Sequence, residues 1–375
     1  MPHINLPMWR LQAARALAWA LLLGGWVGLG SLSQTLAPEP FSAFALIGVW
    51  LLALGGFSEL IGKFRLQRTL LRGLLMCAAL LACWALFVPL HGGDLVSLLP
   101  ALVAWAIVVS LASSAVRACR VAAHGRLNPP NAAAAAGALL AWVCVGDLTD
   151  LASLGPRLMV GALLACGALA VLLPKQRGAI SGCRAGLFDC SLPNWSPVHW
   201  RSPQRWPVLL ASVAMLPMMC SLPLMVSLCR GDSVSAQTVL GVHFAAMFLP
   251  ALLVTRTPNT TWAVPSICAA LLAIGALVLL FASGTFAWWG LALAHGAAWS
   301  VAWAAQLNDR RARSDNTTPL LGAALNASFV LALGLTLNII GVQAITNLHI
   351  ALGATATLAA LAWPFVSIRR PQHPV

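Results

Sequence analysis

Long apolar runs separated by short polar clusters repeat from one end of the chain to the other. A helix that crosses a bilayer needs about 20 mostly apolar residues. Stretches of that kind lie near residues 12–32, 43–62, 70–90, 95–116, 132–150, 155–174, 207–229, 234–254, 263–283, 285–306, 319–341 and 347–367. Asp147 and Asp150 interrupt the fifth, and the last is rich in Ala and Thr. Most connections are too short for a soluble domain. The one long polar interruption runs from Pro174 to Trp206 and is rich in Arg, Pro, Ser and Gly. The pattern predicts an all-α polytopic membrane protein with twelve transmembrane helices in two six-helix bundles, residues 1–174 and 207–375, joined by a loop over 175–206.

The basic residues test this count independently. Lys and Arg concentrate in cytoplasmic loops, so they should cluster at alternate connections. Arg10 and Arg15 precede the first segment, and Lys63, Arg65, Arg68 and Arg72 lie around the connection from the second to the third. Arg117, Arg120 and Arg126 follow the fourth, and Lys175, Arg177, Arg184, Arg201 and Arg205 occupy the middle loop. Arg256, then Arg310, Arg311 and Arg313, then Arg369 and Arg370 complete the series; of the 22 basic residues only Arg157 and Arg230 fall on the other side. A single miscounted helix would destroy this agreement downstream. Both termini are expected in the cytoplasm, and the protein in a bacterial inner membrane.

Composition agrees: 60% of residues are hydrophobic and 8% charged, with a mean hydropathy of +0.86. The net charge of +13 follows from orientation and anionic headgroups, so the expected partner is the lipid bilayer and not nucleic acid. The first segment is long for a signal sequence and lacks a small-x-small cleavage site, so it is read as an uncleaved helix. The ten cysteines show no disulfide spacing. Cys183 and Cys190 fall in the cytoplasmic loop, where thiols stay reduced; with His199 they are candidate ligands for a metal ion on the inside, at no established spacing. Tyr is absent and Trp numbers 16, leaving indoles such as Trp9, Trp195, Trp200, Trp206, Trp288 and Trp289 to form the interfacial belt. No nucleotide-binding, hydrolase or metalloprotease motif is present, so the chain is not read as an enzyme and no cofactor is expected. Transport would draw on a gradient or on the membrane potential, worth about 2.3 kcal/mol per charge per 100 mV.

The sharpest chemical signal lies between Met215 and Met247, which hold five of the nine methionines. Met215 and Met219 form one i, i+4 pair, and His243 and Met247 another. Residues four apart share a helix face, and thioether with imidazole suits Cu(I) better than any hard cation. A methionine pair alone is usually core filling. A histidine at the middle of an apolar segment is costly and marks a functional site by default. Segments 7 and 8 are joined by a short turn and are expected to be antiparallel neighbours, which would let the two pairs meet. Met218, Met225, Cys220 and His295 are secondary ligand candidates.

The run Met215-x3-Met219-x3-Pro223-x-Met225, followed by His243-x3-Met247-Phe248-x-Pro250, resembles the copper-importing branch of the major facilitator superfamily. The resemblance implies copper uptake through segments 7 and 8, for assembly of cbb-type cytochrome c oxidase. Elsewhere the chain departs from the superfamily pattern. Glu59-Leu-Ile-Gly62-Lys63-Phe-Arg65 keeps an acid, a glycine and bases at altered spacing, and the turn after segment 8 is reduced to Thr255-Arg256-Thr257-Pro258.

Other polar residues at depth carry weaker expectations. Glu59 serves loop switching or an ion pair with Lys63. Asp147 and Asp150 attract cations, relay protons or form a solvated helix end. Asn326 and Asn338 are possible hydrogen-bond glue between helices. The leading expectation is a copper importer using Met215, Met219, His243 and Met247. Its rivals are an organic-solute permease of the same fold, with His243 and Trp residues recognising an aromatic substrate, and a non-transporting membrane factor that binds an unidentified protein partner.

Overall fold

The computed structural model describes residues 8–37, 39–64, 66–91, 93–122, 131–145, 151–173, 206–228, 236–253, 263–282, 284–308, 319–341 and 343–367. Each of these blocks contains one α-helix. They are α1 (Met8–Leu36), α2 (Pro40–Lys63), α3 (Arg68–Leu90), α4 (Leu99–Ala122), α5 (Asn131–Val145) and α6 (Leu151–Leu172), then α7 (Trp206–Leu228), α8 (Ala236–Leu253), α9 (Ala263–Phe281), α10 (Gly284–Asn308), α11 (Pro319–Ile340) and α12 (Gln343–Ser367). Every helix overlies one of the apolar segments expected from the sequence. Among the described residues, eight helices (α1 to α4, α6, α9, α11 and α12) are long and apolar enough to cross a membrane.

The outer surface explains the composition. Phe281 is 85% exposed and Val171 79%, and Leu164, Ile339 and Leu358 also face outward. Soluble proteins rarely carry extended apolar surface of this kind, whereas hydrocarbon chains accept it. The protein is an integral, multi-pass membrane protein.

Helices α1 to α6 pack mainly on one another, and so do α7 to α10 with α12, whereas α11 packs chiefly on α2 of the first set; α2/α11, α5/α8 and α1/α7 join the two sets. Polar staples sit at a few crossings. Ser58 of α2 and Ser110 of α4 share a hydrogen bond of 3.1 Å, and the indole of Trp105 on α4 donates to the Leu21 carbonyl of α1 at 2.9 Å. Interhelical bonds of this type replace the water that lipid cannot supply.

The connection between α2 and α3 is built from charge. Lys63 pairs with Glu59 at 3.0 Å, the ion pair expected from their i, i+4 spacing. Arg72 of α3 donates to the carbonyls of Ala170 and Leu173 at 3.0 and 2.7 Å. A guanidinium there satisfies carbonyls left open at the end of α6 and meets the negative end of its dipole. Arg72 thus ties α3 to α6.

Candidate functional site

The methionine pair and the His243–Met247 pair, expected to meet directly, both lie on helices that pack against α10. Met215, Met218, Met219 and Cys220 of α7 are buried, as are His243 and Met247 of α8. Yet α7 and α8 touch each other only slightly, and α10 packs extensively against both. At Gly296 of α10, an added Cβ would stand 2.8 Å from Ala246 Cβ and 3.0 Å from the His243 carbonyl oxygen. Only a residue without a side chain lets the α8 backbone come that close.

His243 is held by this contact. Its Nδ1 lies 2.9 Å from the carbonyl oxygen of Ala292 on α10. A carbonyl only accepts, so Nδ1 carries the proton and donates. The neutral ring therefore presents its lone pair at Nε2, and Nε2 is buried with no hydrogen-bond partner. Metal-ligating histidines are characteristically arranged so, with one nitrogen fixed by a carbonyl or carboxylate and the other left to bind.

One turn beyond Ala292, His295 is 1% exposed. It lies near His243 and His349, and beside the Ala214 carbonyl of α7. The His295 and His349 rings meet edge to face, with centroids 4.5 Å apart and planes at 80°. His349, on α12, is fully buried. It belongs to no motif in the sequence; the available signal was the plain rule that an ionisable side chain inside an apolar segment is a site candidate. Histidines from α8, α10 and α12 thus gather in the interior of the second helix set. Among the described residues, no three His, Cys, Asp or Glu side chains form a group able to hold a metal ion, and Glu59 is the sole acid inside a helix.

An aromatic cluster lies beside them. Trp299 and Trp303 of α10 stack with centroids 5.3 Å apart. Phe248 of α8 meets both rings edge-on, at 5.6 and 5.9 Å. Trp19 of α1 reaches across from the first helix set to Phe248 at 5.6 Å and to Trp303 at 5.8 Å. Near the far end of α1, Gln34 Nε2 donates to the Cys220 carbonyl of α7 at 2.7 Å. The two helix sets are therefore fastened at two levels, by aromatic edges at one and a hydrogen bond at the other. Sequence reading found neither Trp19 nor Gln34 as a linking residue.

The remaining expected residues are scattered. Asn326 is buried and donates to the Gly322 carbonyl within its own helix at 2.8 Å. Asn338 faces outward on α11, so it does not glue helices together as expected. Glu59 of α2 is occupied with Lys63 as above. Met225 has no described side chain, and Asp147, Asp150, Cys183, Cys190 and His199 lie outside the described residues. Trp9 and Trp206 are exposed and Trp288 and Trp289 half-buried, while Trp195 and Trp200 lie outside the described residues.

No family model matches this sequence, and no curated protein matches it. Solved structures do match its backbone over nearly the whole chain. The nucleoside transporter NupG superposes with a TM-score of 0.61 at 14% identity, covering 98% of this chain and 100% of that one. A POT family transporter in complex with a thioalcohol-conjugated peptide gives 0.64 at 11% identity, covering 96% of each chain. The xylose transporter XylE from E. coli, partially occluded and open to the inside, gives 0.58 at 15% identity, covering 96% of this chain and 99% of that one. At such identities the likeness is one of fold. The chain has the fold of the major facilitator superfamily of transporters.

Proposed function

We propose that this protein is a secondary transporter of the cytoplasmic membrane that imports copper as Cu(I). The observation that supports this most is the His243 imidazole, whose Nδ1–H is fixed on the Ala292 carbonyl while Nε2 stays buried and unpartnered. Met247 lies one turn further along α8, and Met215, Met218 and Met219 are buried on α7. Neutral nitrogen and thioether donors in a low-dielectric interior suit a soft monovalent ion. The scarcity of acids in the described helices speaks against binding a hard divalent cation or an organic amine by ion pairing.

Transport then follows from the two helix sets, residues 1–174 and 207–375, rocking about a site near the midplane. The middle loop, residues 175–206, joins them on the cytoplasmic side. With the N-terminus inside, α8 and α10 run inward, so the Trp19, Phe248, Trp299 and Trp303 cluster lies toward the cytoplasm and Gln34–Cys220 toward the outside. Opening the outer contact admits the ion to His243 and the soft donors. Parting the aromatic edges releases it inward, helped by an inside-negative potential.

A second reading is supported by the solved structures, whose names give nucleoside, peptide and xylose as solutes. In that reading the protein carries an organic molecule, and the Trp and Phe rings bind it. Uptake in cells lacking their own copper importer separates the two. Radiocopper uptake blocked by silver and indifferent to nucleosides, peptides and sugars supports the copper path. Uptake of an organic solute that silver leaves intact overturns it.

A further inference from the structure

The interior of the second helix set holds a pair of imidazoles that the path through His243 and Met247 does not use. His295 and His349 are 1% and 0% exposed, and all four of their ring nitrogens are buried without a hydrogen bond. The Ala214 carbonyl of α7 stands beside His295. Water is absent from hydrocarbon, so polar atoms at this depth are paired inside the protein or serve a ligand. The pair also has space made for it. At Gly275 of α9, an added Cβ would lie 2.8 Å from His295 Cδ2 and 3.0 Å from its Nε2. Any larger residue at 275 would displace the ring.

We infer that His295 and His349 form a second ion-holding station, a two-nitrogen site for a soft monovalent cation such as Cu(I) or Ag(I), placed within the bundle behind His243. The donor set selects the ion class. Zinc in proteins takes four ligands, and no third His, Cys, Asp or Glu among the described residues completes such a set. Cations of d10 configuration and single charge accept two neutral donors in a line. Metal–nitrogen bonds of about 2 Å place the two nitrogens about 4 Å apart. Each nitrogen lone pair points away from its ring centre, so the centroids of a linear site stand about 6 Å apart; from 4.5 Å the rings reach it by turning their edges toward each other and parting by about 2 Å. Neutral imidazoles release the ion more readily than thiolates would, as a transit station requires. The inference rests on the copper reading for the identity of the physiological ion, and on the histidine geometry for the site.

The test uses the full chain in detergent, with Ag(I) as the redox-inert probe. Binding stoichiometry is measured by titration calorimetry, and the ligands by X-ray absorption, for the wild type, His349→Asn, His295→Asn and the pair His243→Leu, Met247→Leu. The expected result is two equivalents in the wild type. Either asparagine variant loses one equivalent together with its nitrogen signature, and the His243, Met247 variant loses the other. If the asparagine variants fold poorly, the double variant His295→Cys, His349→Cys is read instead; it should hold one equivalent between two sulfurs. Loss of binding confined to the His243, Met247 variant overturns this site and leaves copper import standing. Binding that depends on His349, with no radiocopper uptake, keeps the site and removes the transport reading. No silver bound by the wild type overturns both.

Discussion

His243 on α8 and Ala292 on α10 are joined by a hydrogen bond of 2.9 Å from imidazole Nδ1 to the backbone carbonyl. That one contact fixes the tautomer, aims Nε2 inward and couples the ligand's position to the α8–α10 packing. Because the acceptor is backbone, no side-chain substitution at 292 removes it. The role of the histidine must be probed at position 243 or at the helix contact itself.

Replacing His243 by Leu removes the nitrogen while keeping the apolar volume. Copper uptake should fall to the level of cells without the protein, with membrane abundance measured by immunoblot unchanged. His243→Gln, which retains a donor but has no imidazole lone pair, should be equally inactive. Wild-type uptake by either variant would remove His243 from the path.

Gly296 tests whether helix proximity positions that ring. A side chain there must push against Ala246 and the His243 carbonyl, and overpacking of this sort costs about 1–3 kcal/mol. Gly296→Val should lower the thermal unfolding midpoint of the purified protein. It should weaken silver binding more than the same substitution at Gly322, which has nothing within 4 Å of its missing Cβ. Equal effects at the two positions would argue against a positioning role.

The aromatic cluster distinguishes gate from binding surface. If Phe248, Trp299 and Trp303 only close the inner path against Trp19, then Phe248→Ala should lengthen the mean distance between spin labels placed at the inner ends of α1 and α10, while silver affinity stays near the wild-type value. Aromatic recognition of an organic solute requires the opposite, a raised KM for that solute.

At the other level, Gln34 holds α1 to α7. A single hydrogen bond of this kind contributes about 1 kcal/mol net, enough to shift a balanced two-state equilibrium about fivefold. Gln34→Leu should lengthen the mean distance between spin labels placed at the outer ends of α1 and α7, read by double electron–electron resonance. An unchanged distance distribution would mean the contact does not bias the outer opening.

The helices were legible because each is a long apolar run, and hydrocarbon imposes that length on any helix that crosses it. Which face of each helix turns inward was far less legible. The helices are apolar nearly all round, so a residue's neighbours depend on shape, on small residues such as Gly296 and on which helix wins a contact. That is why the sequence suggests α7 against α8 while the structure sets α10 against both. His243 stood out through its partner Met247 at i+4, and it proved to be buried with a fixed tautomer. His349 escaped notice because its only companion, His295, lies 54 residues away in sequence. Trp19 and Gln34 carry no local sign that they reach a second helix set.

The central claim is tested most directly in sealed vesicles containing only this protein and lipid, with an inside-negative potential and radiocopper kept as Cu(I) outside. The account predicts accumulation by the wild type, inhibition by Ag(I), and none above protein-free vesicles for the His243→Leu, Met247→Leu variant. Accumulation that is the same for both proteins, or absent from both at equal reconstitution, would contradict it.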